Sequence, residues 1–128
     1  MNKLIIDAAN EKIFLMIITN ASIYNITHEN TKINYEKLTI IINNFLLSKN
    51  LKIADIDAIY INNGPGSFAG IRNSISVVKA FNVAKNVNYY CYNLHDFKDE
   101  KDLSYESIPN LCKKYKIKKN LINPIYIS

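Results

Sequence analysis

Between Asn62 and Phe81 the chain reads NNGPGSFAGIRNSISVVKAF, a stretch that holds all three of its glycines, Gly64, Gly66 and Gly70, together with Pro65. Glycine concentrated in one place marks backbone that must turn sharply or lie close to something else, because a residue without Cβ accepts either condition. Pro65 pushes Gly64 away from the helical region, and Ser67 has the side chain of a helix N-cap. Such a loop serves two purposes equally well. Free amides at a helix start attract phosphate, and the same glycines also suit a bare strand-to-helix turn that holds no ligand. The Lys-Ser/Thr ending of the Walker A loop is absent and Arg72 already falls within the helix, so the loop alone leaves both readings open.

The flanking sequence sets this turn in an α/β fold. Leu4 to Ile6, ending at Asp7, and Ile13 to Ile18 are short apolar runs of the kind found in strands buried on both faces. The TNAS turn at Thr19 to Ser22 leads into IYNIT, which reads as a third, antiparallel strand. From Asn34 to Lys49, Tyr35, Leu38, Ile42, Phe45 and Leu46 recur at helical spacing, and Ile40, Ile41 and Leu47 broaden the stripe beyond what one core needs. Asp55 to Asn62 reads as a strand, Ile71 to Ala84 as a second helix, and VNYYCYN as a fifth, parallel strand. The order β-β-β-α-β-α-β places the glycine loop at the carboxyl end of a strand, where open α/β sheets bind ligands. HDFKDEKDLSYES reads as an exposed connection, YESIPNLCKKYKI as one short helix limited by Pro109, and INPIYIS as an extended tail.

Composition narrows the function classes. With 128 residues, 48% hydrophobic and 21% charged, the chain suits one folded domain. No segment has the length and apolarity of a signal peptide or membrane span, and Cys91 and Cys112 lack CxxC spacing, so reduced thiols and a cytoplasmic location are expected. His28 and His95 are the only histidines and are read as surface residues, not metal ligands. The net charge is +5, and Lys113, Lys114, Lys116, Lys118 and Lys119 account for all of it. Any nucleic-acid contact is therefore expected near that run, which otherwise reads as a solvated helix end.

GPGSFAGIRNSISVVKAF resembles the GPGSFTGLRIGLSVAKGLA signature of the TsaB family, the partner subunits of the machinery that installs threonylcarbamoyl on adenosine next to the tRNA anticodon. KLIIDAAN stands where that family has an ILAIDTS-like first strand, and INPIYIS is similar to its EPVYLR-like C-terminal motif. The resemblance covers roughly residues 1 to 97 and again 106 to 127, in order. Ser67-Phe68 in the loop and the absence of a His-x-x-x-His pair favour TsaB over its catalytic relative TsaD. The resemblance implies a ribonuclease H-like fold of the actin, sugar-kinase and Hsp70 type, a mixed five-stranded sheet with a short C-terminal helix and tail. Residues 1–97 form the TsaB-like domain, and 98–128 stand in place of the family's second domain.

The resemblance also implies a role. TsaB is a degenerate copy of TsaD and pairs with it through the two helices of its first domain, which here places Leu38, Ile41, Phe45, Ile71, Ile75 and Val78 at a partner interface. The family's Asp-Thr-Ser is Asp7-Ala8-Ala9 here, and a linker runs from Leu94 to Tyr105 where the family carries a sheet, so half of a nucleotide cleft is missing. Asp7, Gly64, Gly66 and Ser67 are then a residual loop. No cofactor, metal or catalytic residue is expected, and Asp7 is read as capping a local turn. The expected function is a non-catalytic subunit that stabilises a TsaD-like enzyme, with a TsaE-like ATPase as a further partner, tRNA met indirectly, no membrane contact, and a homodimer in isolation. A small kinase or ATPase of the same fold and an RNA-binding module built on the lysine run are the rival readings.

Overall fold

A computed structural model describes residues 1–122 and the backbone pairing of Tyr126–Ile127. Five strands make one sheet: β1 (Lys3–Asp7), β2 (Lys12–Ile18), β3 (Ile23–Glu29), β4 (Ala58–Asn62) and the later strand Asn88–Tyr92, in the order β3-β2-β1-β4-Asn88–Tyr92. The first three form an antiparallel meander, with Leu4 opposite Ile17 and Leu15 opposite Ile26. β1 and β4 pair in parallel, as do β4 and the last strand. The mixed sheet and the order of its elements are those expected. β1 lies at the centre, which is why its apolar run does not alternate: Leu4, Ile5 and Ile6 are all fully buried, on two different faces.

On one face, Leu4, Ile6, Leu15, Ile17, Ile59 and Ile61 pack beneath the helices. The helix expected from Asn34 to Lys49 is two, α1 (Lys32–Glu36) and α2 (Leu38–Ser48). Thr31 caps the first, and the Asn34 side-chain amide donates to the Glu29 carbonyl at 2.8 Å, so the short helix is tied to the end of β3 and the chain bends at Lys37. After β4, the two-residue strand β5 (Gly66–Ser67) leads into α3 (Phe68–Lys85), which starts three residues before the expected Ile71. Ser67 caps it as anticipated, accepting from the Gly70 amide at 3.3 Å. α3 ends at Asn86 in the left-handed conformation, and β6 (Asn88–Tyr92) follows.

The opposite face is covered by the residues after β6. Ile5, Met16, Ala58, Tyr60 and Tyr92 pack there against Phe97, Ile108, Leu111 and Cys112. Phe97 belongs to a 3-10 turn, Leu94–Phe97, and the last three belong to α4 (Ile108–Lys114), entered through a second such turn, Tyr105–Ser107. Pro109 sits in the first turn of α4, where its missing N–H costs no hydrogen bond. Much of HDFKDEKDLSYES is exposed, as expected, but Phe97 is fully buried and Tyr105 half-buried, so both ends of this stretch are anchored. A second sheet, β5 with β7 (Tyr126–Ile127), is parallel and pairs Gly66 with Tyr126. The rest of INPIYIS beyond Ile122 lies outside the described residues, apart from that pairing.

Cys91 and Cys112 are free and buried, and burial pushes both thiols up to about 12 from an ordinary value of 9.0. An acid whose folded pKa is raised adds stability that is complete below its unfolded pKa and is lost as pH rises toward the folded one. The fold is therefore expected to hold steady up to pH 9 and to weaken between pH 9 and 12, read as a falling urea midpoint. Native-state alkylation of either cysteine at pH 8 is expected to be slow compared with the unfolded chain, and a fast native reaction would contradict the burial.

Candidate functional site

The glycine loop, the β1–β2 turn and the start of α4 converge above the carboxyl ends of β1 and β4. Gly64 has φ 129°, a conformation that side chains rarely allow. The other two glycines answer a different demand, that of close approach. A Cβ at Gly66 would come within 2.4 Å of the Ala9 carbonyl oxygen, and one at Gly70 within 1.9 Å of the Ala8 carbonyl oxygen. The loop and the first turn of α3 thus lie directly on Ala8 and Ala9, and the Asn30 side chain clamps the same turn by donating to the carbonyls of Ala8 and Asn10 at 2.8 and 2.7 Å.

Several loop amides that a phosphate would need are already engaged. Gly64 N–H donates to Asn62 Oδ1 at 2.9 Å, Ser67 N–H to the Ala9 carbonyl at 2.9 Å, and Gly70 N–H to Ser67 Oγ. Asp7 is buried and fully committed. Its Oδ1 accepts from the Ala9 amide at 3.0 Å, the turn-capping role expected of it, and its Oδ2 accepts from Asn62 Nδ2 at 3.2 Å. Asn10 Nδ2 lies 3.5 Å from both oxygens, and one further donor was not legible in the sequence: the Tyr105 hydroxyl reaches Asp7 Oδ2 at 2.8 Å. The Tyr105 ring stacks on Phe14 with centroids 3.9 Å apart, and its hydroxyl pKa is raised by burial and by the adjacent Asp7.

Tyr105 divides the space above the strand ends. On one side an open hollow of about 750 Å³ is lined by Ala9, Asn10, Lys12, Phe14, Asn30 and Ser67, and on the other a hollow of about 310 Å³ is lined by Tyr92, Leu94, Leu103 and Ile108. Ala8 and Ala9 bring no hydroxyl to either. The site is a knot of mutual hydrogen bonds between four chain segments, closed by an aromatic side chain. Among the described residues no three His, Cys, Asp or Glu side chains gather as metal ligands; His28 lies on edge strand β3 and His95 in the turn after β6.

The six residues expected at a partner interface are not brought together on the surface. Leu38, Ile71 and Val78 are fully buried and Phe45 is 4% exposed, with Leu38, Phe45 and Val78 in the core beneath the helices. Only Ile41 and Ile75 keep partial exposure, packed against that core. The helical spacing was read correctly, but the side chains nearest the centre of each stripe meet the sheet. The large apolar side chains left outside on this layer are Ile33, Ile40, Leu47, Phe68 and Val83, exposed by 45–83%. Ile40 and Leu47 are seven residues apart on the outer face of α2.

Comparison with solved structures places this fold beside YeaZ from Pseudomonas aeruginosa, with a TM-score of 0.66, 20% identity, and 72% of this chain matched to 43% of that one. The chain thus spans less than half the length of that structure. The RuvC fold of Thermus thermophilus, in a structure with a Holliday junction substrate, superposes with a TM-score of 0.54 at 11% identity over 77% of this chain and 68% of that one. Comparison with curated proteins finds no match. The sequence model of the family described as TsaD, tRNA N6-adenosine threonylcarbamoyltransferase, matches residues 28–95, which run from the end of β3 through the glycine loop and α3 to the turn after β6. Since that match covers more than half of the chain and agrees with a YeaZ-like sheet and a TsaB-like loop, the chain belongs to the TsaD family of the tRNA threonylcarbamoyladenosine system.

Proposed function

We propose that this chain is a non-catalytic subunit that binds and stabilises a TsaD-like enzyme acting on tRNA. The observation that supports this reading is the contact of Tyr105 with Asp7 and Phe14, which closes the hydrogen-bonded knot above the carboxyl ends of β1 and β4, the end of an open α/β sheet where ligands bind. With the Gly64, Ser67 and Gly70 amides committed internally and Ala8 and Ala9 beside them, the open hollow is left with Glu11 and Lys12 as its charged side chains and with Ser67, whose hydroxyl already caps α3. What remains available for function on the helical side is the outward apolar stripe of Ile40 and Leu47 on α2, with Ile33 on α1 and Val83 on α3. Exposed aliphatic side chains on neighbouring helices suit a helix-to-helix contact with another protein.

The test is co-purification with the TsaD-like subunit of the same cell. Ile40→Glu with Leu47→Glu is expected to weaken capture about 100-fold, as the loss of two central apolar contacts would, while leaving the fold intact because both side chains are exposed. Unchanged capture by a folded double variant would remove this face from the interface. Val78→Glu is no test of the same idea, because Val78 is fully buried and the change would unfold the chain.

A further inference from the structure

The lysine run of the C-terminal segment has a definite place in the fold. It lies on the sheet face opposite α2 and α3, where α4 and the residues after it pack over β1, β4 and β6. A hollow of about 450 Å³ opens there, lined by Lys3, Lys113, Lys116 and the N-terminal Met1, with Tyr60 and Tyr90 beside them. None of the residues lining it is acidic. The two tyrosines stack at 5.2 Å between centroids and 13° between planes, and Tyr90 keeps part of its surface exposed. Among the described residues Lys114 alone of the five-lysine run is in an ion pair, with Glu100, so Lys113, Lys116, Lys118 and Lys119 keep their charge uncompensated.

The segment that carries them is held firmly. Asn120 exchanges backbone and side-chain bonds with Tyr89, its N–H donating to the Tyr89 carbonyl at 2.7 Å and its Oδ1 accepting from the Tyr89 amide at 2.9 Å. Ile117 N–H donates to the Cys112 carbonyl at 2.9 Å, and Lys119 forms an isolated bridge with Tyr90. The lysines therefore frame an aromatic surface from fixed backbone positions, and a solvated helix end would need neither the framing nor the pinning.

From this juxtaposition we infer that the face formed by Lys3, Lys113, Lys116 and Lys119 around Tyr60 and Tyr90 binds single-stranded RNA, the lysines meeting phosphates and Tyr90 offering a ring to an unpaired base. The combination of clustered cations and an aromatic platform is what single-stranded nucleic acid requires, whereas an anionic membrane surface would call for large apolar side chains ringed by the lysines. This binding is independent of the subunit role, since the two surfaces lie on opposite faces of the sheet.

The test is fluorescence anisotropy of the full chain with a labelled single-stranded RNA 12-mer. Four phosphate contacts predict that affinity falls about 50-fold between 50 and 200 mM salt. Lys113→Glu with Lys116→Glu is expected to weaken binding at least about 10-fold and to flatten the salt dependence, and Tyr90→Leu, which keeps apolar bulk on β6, to weaken it roughly 5-fold. The control carries the same charge change on the other face, Lys37→Glu with Lys79→Glu, and is expected to leave binding within about twofold. Equal losses in both charge variants would reduce the effect to net charge and overturn the site, as would absence of binding by the unaltered chain or a preference for anionic lipid vesicles over the RNA. Capture of the TsaD-like subunit by the Lys113/Lys116 variant separates this outcome from any failure of the subunit reading.

Discussion

Replacing Gly70 by alanine is expected to destabilise the fold by about 3 kcal/mol, even though alanine is the better helix former by nearly 1 kcal/mol. The new Cβ would stand 1.9 Å from the Ala8 carbonyl oxygen and 2.9 Å from Asn30 Nδ2. Backbone is on one side and a doubly bonded amide on the other, so neither neighbour yields easily. The first turn of α3 must lift away from the β1–β2 turn, taking with it the Ser67 cap and the Ser67 amide bond to Ala9. Urea unfolding measures the change, and Ser76→Ala on the exposed side of the same helix serves as the control, expected within about 0.5 kcal/mol of the unaltered chain. A Gly70→Ala chain as stable as the original would mean that α3 does not lie against this turn.

The second large effect is expected at Asp7. Changing it to alanine leaves the Ala9 amide, Asn62 Nδ2 and the Tyr105 hydroxyl without their acceptor in a buried site, a loss of about 3 to 4 kcal/mol. Tyr105→Phe removes one of those donors and keeps the stack on Phe14, so about 1 kcal/mol is expected. In the double variant the two losses should fall short of their sum, because the hydroxyl lost from Tyr105 no longer had a partner. Strict additivity would mean that the 2.8 Å contact contributes nothing.

The same residues separate a structural lock from a covered active site. If Tyr105 merely occupies a working phosphate site, Tyr105→Ala should uncover ATP binding in the presence of magnesium. With Gly64, Ser67 and Gly70 amides already bonded within the loop, neither the original chain nor Tyr105→Ala is expected to bind it at micromolar concentration by calorimetry. Binding with turnover in the original chain would reject the non-catalytic reading, and binding in Tyr105→Ala alone would make the tyrosine a plug.

Period and punctuation were enough for most of the sheet. The unbroken runs at Leu4–Ile6 and Ile13–Ile18 read as central strands, and they pair with each other in the sheet with residues on both of its covered faces. The turn and its cap could be placed from Gly64, Pro65 and Ser67 alone. The helices were less legible. A stripe of apolar residues identifies a face but not what covers it: Leu38, Phe45 and Val78 belong to the core beneath the helices and Ile71 is fully buried, while Ile40 and Leu47, which broaden the stripe beyond what one core needs, are left outside. The break at Lys37 depends on a bond from Asn34 to Glu29, which no periodicity encodes.

What the amino-acid order determined by itself is local: alternation or continuity of apolar residues, the backbone freedom of glycine, the cap that a serine provides, and a family motif compact enough to be recognised within one segment. What only the tertiary structure decided is which distant segments meet. Tyr105 lies 98 residues from the carboxylate it bonds, in a stretch whose composition reads as exposed linker, and the lysine run lies far along the chain from Lys3, Tyr60 and Tyr90, which complete its surface. Both meetings follow from α4 covering the free face of the sheet. That docking is driven by Phe97, Ile108, Leu111 and Cys112 finding Ile5 and Met16, a match of shape and apolar area that has no signature in the spacing of residues along the chain.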